Sequence, residues 1–201
     1  DPALHRQAAR LSHATGDADA ARRHAQRAIE LDPGSAAGQL WLARAELGLE
    51  HLSQARAAAE RARTLAPGEP QAEVLLGLIA GRGGDAQAAL RHFDAALAID
   101  PDHAEAHAQR GKALFALGQA EAGLFAWRSA IELDPTLFEP QYNLASELLR
   151  LGQNEAARPH LRQAYANCPS PELRTRMRGT LANLAKSDAA TLRALASVDR
   201  R

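Results

Sequence analysis

The chain has 201 residues, with 24 basic and 24 acidic side chains, 46% hydrophobic residues and only 4% aromatic ones. Balanced charge gives no footing for nucleic acid or an anionic membrane, and no apolar run approaches the roughly 18 residues of a spanning helix. The single cysteine, Cys168, excludes an intrachain disulfide and leaves cytoplasm and periplasm equally open.

Prolines at 33, 67, 101, 135 and 169 stand 34 residues apart. The first four each close a helix-like run, as in Ile29-Glu30-Leu31-Asp32-Pro33, because proline cannot continue a helix and restrains the residue before it. Within each interval an inner turn is marked by Gly16, Gly84, Gly118 or Gly152. Glu50 holds that place in the second interval, so it is expected at positive φ or in a different turn. Small residues recur where helices would cross. First helices carry Ala9, Ala43, Gly77, Gly111, Ala145 and Gly179; second helices carry Ala21, Ala55, Ala89, Gly123 and Ala157. Apolar residues at i, i+3, i+4 and i+7 between them predict amphipathic helices.

The clearest stretch is 85–135. Ala88, Ala89, Phe93, Ala96 and Ile99 before Asp100-Pro101 recur as Ala122, Gly123, Trp127, Ala130 and Leu133 before Asp134-Pro135. Asp102 with Glu105, and Thr136 with Glu139, have capping-box spacing, and Ser170-Pro171 reads as an N-cap before a first-turn proline. Pro159 lies inside a predicted second helix and is expected to loosen or kink it. Residues 170–200 read as a worn sixth unit, with helices at about 172–185 and 188–199.

These residues resemble the tetratricopeptide repeat (TPR) family, whose 34-residue unit carries Trp-x2-Leu-Gly-x2-Tyr, Ala-x3-Phe and Pro. Leu76-Gly77, Ala89-x3-Phe93 and Pro101 match best. Gly111 with Gly123-x3-Trp127 and Pro135, and Leu144-Ala145 with Ala157-x3-Leu161 and Pro169, follow. The resemblance implies an all-α fold, a right-handed α-solenoid of stacked antiparallel helix pairs. Five repeats would occupy 1–169 (about 2–35, 36–69, 70–103, 104–137 and 138–169), and 170–201 a degenerate sixth repeat or capping pair.

In that family the first helices line a concave groove that takes a peptide or a partner helix. Counting along them gives an apolar strip of Trp41, Leu75, Leu78, Phe115 and Tyr142, beside Asn143. Arg6, Arg10, Arg44, Arg82, Lys112 and Arg150 edge it with positive charge. Such a groove suits an amphipathic or acidic segment, since guanidinium groups pair with carboxylates in a bidentate fork. The Lys/Asn/Arg clamp of chaperone-tail-binding members is absent, its positions holding Arg6, Arg10 and Trp41. Of the asparagine ladder found beside O-linked glycosyltransferases only Asn143 is present.

Catalytic signals are missing: no Gly-x-Gly-x-x-Gly, P-loop or serine elbow occurs. His103 and His107 have i, i+4 spacing but lack a third ligand. The other six histidines read as scattered over different units and faces, and Cys168 as a structural thiol at a turn. A non-enzyme is expected, with no cofactor or metal, no nucleic acid and no membrane insertion. Its partner would be a protein or peptide. The start at Asp1-Pro2 without methionine makes a docking domain of a larger multidomain enzyme, such as a transferase, the alternative, and self-association as a homo-oligomer a further one. The Ala/Arg-rich, Lys-poor composition suggests a bacterial source.

Overall fold

The computed structural model describes residues 1–184; the helix expected at 188–199 lies outside them. Among the described residues there are eleven α-helices and no strand. First helices are α1 (Pro2–Ala14), α3 (Ala36–Gly48), α5 (Pro70–Arg82), α7 (Ala104–Ala116) and α9 (Phe138–Arg150). Second helices are α2 (Ala18–Leu31), α4 (Leu52–Leu65), α6 (Ala86–Ile99), α8 (Ala120–Leu133) and α10 (Asn154–Ala166), and α11 (Pro171–Leu184) follows. Every start, within each set, is 34 residues after the last.

Local chemistry sets these ends. The Asp17 and Asp85 carboxylates each accept a backbone N–H at 2.8 Å, from Ala20 and Ala88, capping α2 and α6. Ser35 caps α3 through the Gly38 N–H at 3.2 Å. The inner turns use φ of 79, 84, 75 and 72° at Gly16, Gly84, Gly118 and Gly152, and Glu50 takes 61° in the second. That left-handed conformation is the one expected of Glu50, and it strains a residue bearing a Cβ.

Two expected caps fall one residue late. His103 Nδ1, not Asp102, accepts the Ala106 N–H that opens α7, at 3.3 Å. Leu137, not Thr136, precedes α9 and makes no side-chain cap. The Asp-Pro turn explains both: Asp100 accepts the Asp102 N–H, and Asp134 accepts both the N–H and the hydroxyl of Thr136. The turn residues are thereby spent inside the turn. Ser170 does cap α11, through Leu173. Pro159 sits within α10, which runs on through Ala166 with the proline on its exposed face.

The chain divides into two compact units, Asp1–Gln119 and the residues from Ala120. The first is packed largely by alanine: Ala21, Ala25, Ala28, Ala43, Ala55, Ala59 and Ala62 are at most 1% exposed. Bulk enters at α5, whose Leu75, Leu76 and Ile79 join Ala43, Ala55, Ala58 and Ala59 in one cluster. Phe93 of α6 lies against Gly77 so closely that a Cβ there would sit 2.5 Å from the ring. Only glycine admits that approach. In the second unit Ala145, Leu161, Ala164, Tyr165, Cys168, Met177 and Leu181 form the core, and the Cys168 thiol donates to the Ser170 carbonyl at 3.2 Å.

Three histidines correct the reading of them as scattered. His24, His92 and His160 occupy one station of the second helix in alternate units, and each reaches the residue 19 positions earlier on the first helix. His24 Nδ1 faces His5 Nδ1 at 3.3 Å, His92 Nδ1 donates to the Glu73 carboxylate at 2.8 Å, and His160 Nδ1 donates to the Gln141 carbonyl at 2.8 Å. Arg63 also approaches Glu73, at 3.4 Å. The intervening units hold Ala58 and Ala126 at this station. Opposite Ala58, the buried Gln39 Oε1 has no partner; opposite Ala126, His107 turns to the Pro101 carbonyl.

Candidate functional site

Within Asp1–Gln119, the first-helix residues singled out from sequence separate into three groups. Trp41 is half-buried, with the His13 ring 5.9 Å away and the Arg44 guanidinium 5.2 Å from its centroid. Such a cation–π contact holds Arg44 along the indole while leaving its edge available to a ligand. Desolvation, and then the Arg44 charge, hold the His13 imidazole below its usual range. Leu78 and Phe115 are likewise half-buried, and Arg10, Arg82 and Lys112 are exposed.

Leu75 does not line a free surface. It is 1% exposed and belongs to the α3–α4–α5 cluster, so its role is packing. Arg6 is also drawn away, to Asp32 at 3.7 Å and Ser35 at 3.4 Å at the α2–α3 turn. Arg82 pairs with Glu50 across the ends of α5 and α3.

In the second unit, Tyr142 stacks on Phe138 at 5.6 Å with ring planes 19° apart, and Asn143 is half-buried beside it in sequence. Arg150 forks onto Glu147 at 2.8 and 2.5 Å, which holds the Glu147 carboxyl below and the Arg150 guanidinium above their usual ranges. A hollow of about 330 Å³ opens beside Tyr142, Ser146, Leu149, Arg176, Met177 and Thr180.

The larger cavity lies in the first unit, among α3, α5, α6 and α7. It measures about 500 Å³, within the range of ligand-binding clefts. Leu47, Leu78, Ala89 and Phe93 give it apolar walls; Arg82, Gln109 and Lys112 are its polar residues, and no carboxylate lines it. Sequence reasoning named Leu78, Arg82 and Lys112 but missed Gly81, Ala89 and Phe93. Their signal was available: Gly81 breaks a pattern that every other first helix keeps.

Three family models, described as tetratricopeptide repeat or TPR repeat, match residues 12–79, 82–118 and 138–171, together more than two thirds of the chain. The chain is a tetratricopeptide repeat protein. Among solved structures it is similar to a thermophilic TPR protein of Thermus thermophilus, with 22% identity and a TM-score of 0.77 over 92% of this chain and 98% of that one. PilF of Pseudomonas aeruginosa gives 14% identity and a TM-score of 0.76 over 96% of this TPR chain and 88% of that one. A chain of the Cut9–Hcn1 hetero-tetramer of the APC/C gives 21% and 0.73, over 88% of this chain and 35% of that one. No curated protein matches the sequence. The fold class is thus the all-α helical repeat solenoid, and TPR proteins are in general non-catalytic interaction or scaffold modules.

His103 and His107 take up structural hydrogen bonds, to the Ala106 N–H and the Pro101 carbonyl. Among the described residues no cluster of three or more metal-ligating side chains occurs, and no helix is long and apolar enough to cross a membrane.

Proposed function

We propose that this TPR protein is a non-catalytic interaction module that binds an acidic, amphipathic segment of a partner protein along the first helices of Asp1–Gln119. The frame is the 34-residue unit repeated five times over 1–169, with a partial unit from 170. One observation carries the reading: half-buried apolar groups (Trp41, Leu78, Phe115) share this face with Arg10, Arg44 and Lys112, around a cavity that no carboxylate lines. Apolar surface supplies the affinity of such a site, and clustered guanidinium and ammonium groups orient an acidic ligand. The role of one solved neighbour in a hetero-tetrameric assembly is consistent with a scaffold. Tyr142, Asn143 and Arg150 are a separate candidate patch on the second unit.

The test is affinity capture from source-cell lysate, with wild type beside a Trp41→Ala, Arg44→Ala double variant whose thermal melt matches. A partner with an acidic amphipathic segment, retained by wild type and lost by the variant, is the expected result. With Trp41 as a hot spot, its truncation is expected to lose about 2 kcal/mol or more in affinity for the purified partner. Equal retention by both chains would refute this face as the site.

A further inference from the structure

Each first helix presents one side chain at the same station of the 34-residue unit: His13 in α1, Leu47 in α3, Phe115 in α7 and Leu149 in α9. In α5 that station is Gly81. The side chain is missing just where the 500 Å³ cavity opens, between Leu47 on one side and Lys112 and Ala116 on the other.

Packing does not demand this glycine. A Cβ built at Gly81 meets only the Ala89 methyl, at 3.8 Å, which is ordinary contact, and its φ is not in the left-handed region. Gly77, one turn earlier, is the contrast, since its Cβ would collide with Phe93 at 2.5 Å. Glycine weakens a helix interior relative to alanine, so Gly81 gives up local stability without a structural return. What it provides is room.

We propose that the gap at Gly81 is a socket for one large apolar side chain, of leucine or phenylalanine size, projected by an acidic amphipathic helix of a partner protein. This rests on the binding face proposed above and names the contact that face makes. The size follows from the residues that fill the station elsewhere, Leu47, Phe115 and Leu149. The walls are apolar (Leu47, Leu78, Phe93), so the incoming side chain exchanges water for hydrocarbon. A carboxylate one turn away on the same helix reaches Arg82 or Lys112. Arg82 is already paired with Glu50, but both side chains are more than half exposed. Such a pair is weak, and a ligand carboxylate can replace Glu50 in it.

The test uses the full chain, labelled with nitrogen-15, titrated with helical peptides of Glu/Ala/Gln sequence that carry a single Leu, Phe or Ala guest. The Leu and Phe guests are expected to bind about tenfold tighter than Ala and to shift the amide signals of Gly77, Gly81 and Gly84. Gly81→Leu fills the socket from within, so it is expected to melt no lower than wild type while losing the guest preference. Lys112→Glu is expected to weaken the Glu-rich peptides and favour Lys-rich ones. Equal binding of Leu and Ala guests, an unchanged preference in Gly81→Leu, or equal binding of Lys-rich and Glu-rich peptides would each overturn the socket. Binding lost in Trp41→Ala, Arg44→Ala but kept in Gly81→Leu sinks the socket and spares the binding face. Binding that neither variant disturbs sinks both.

Discussion

Helices α1 and α5 are both thirteen residues long, and both start on a proline, yet α1 buries only Ala9 whereas α5 buries nine residues. Composition accounts for part of this and neighbours for the rest. Among the described residues α1 packs on α2 and α3, while α5 packs on α3, α4, α6 and α7. Leu4 and Leu11 of α1 are 63% and 67% exposed. The residues at their stations in the later first helices, Gly38, Ala72, Ala106 and Pro140 for Leu4 and Ala45, Ile79 and Ala113 for Leu11, are buried. In a stacked repeat, burial belongs to the station and to what flanks it. The residue type adapts afterwards.

That comparison breaks most visibly under truncation. Leu75→Ala in α5 is expected to cost about 2–5 kcal/mol, because it opens a cavity inside a cluster closed on both sides. Leu11→Ala in α1 removes the same atoms from a side chain already in water and is expected to stay within about 0.5 kcal/mol. Urea denaturation of the two variants measures both. A Leu75 variant as stable as the Leu11 variant would mean that α5 is not enclosed.

The same contrast marks what the sequence could and could not disclose. Helix positions were legible because their punctuation is local: proline after Leu31, Leu65, Ile99 and Leu133, and glycine where φ turns positive. Glu50 was legible for the same reason. The caps were missed by one residue because the Asp100 and Asp134 side chains bend the turn back on itself, which capping-box spacing does not describe. Leu75 was placed in the groove because 3.6-residue counting identifies a face of a helix and not how many neighbours close over it. Gly81 went unnoticed because counting looks for what is present. The pairing of His24, His92 and His160 with His5, Glu73 and Gln141 joins different helices, so it leaves no local trace; the trace it leaves is a spacing of 68 residues between the histidines.

A smaller effect separates paired from unpaired units along that histidine station. Gln141 is 3% exposed, donates from its amide nitrogen to the Pro135 carbonyl at 3.1 Å and accepts from His160. His160→Ala leaves the Gln141 Oε1 in the condition already seen at Gln39, and a loss of about 1–3 kcal/mol is expected at pH 7.5. The loss depends on pH. Desolvation, and then the positive charge of Arg128, hold the folded His160 pKa below its usual 6.5. As pH falls through 6.5 the unfolded chain takes up the proton first, so stability from the neutral imidazole is present above 6.5 and is lost as pH drops through the folded value. Denaturant midpoints of wild type and His160→Ala should therefore lie closer together at pH 5.5 than at pH 7.5. An equal gap at both would remove the proton from the account.

The smallest expected change lies at Glu50, where α3 and α5 meet through the Glu50–Arg82 pair. Two terms oppose each other there. The left-handed backbone costs a residue with a Cβ about 1 kcal/mol, which glycine at the equivalent turns avoids, while an exposed ion pair returns about 0–1 kcal/mol. Glycine also has more backbone freedom to lose on folding, which trims its advantage. Glu50→Gly should accordingly melt at or slightly above wild type, and Glu50→Ala, which keeps the strain and gives up the pair, below it. Equal melting of the Gly and Ala variants would mean that φ of 61° carries no strain here. Because the Glu50 carboxylate competes for Arg82, both variants also free that guanidinium. An acidic partner helix should then bind somewhat more tightly to each, whatever their order in stability.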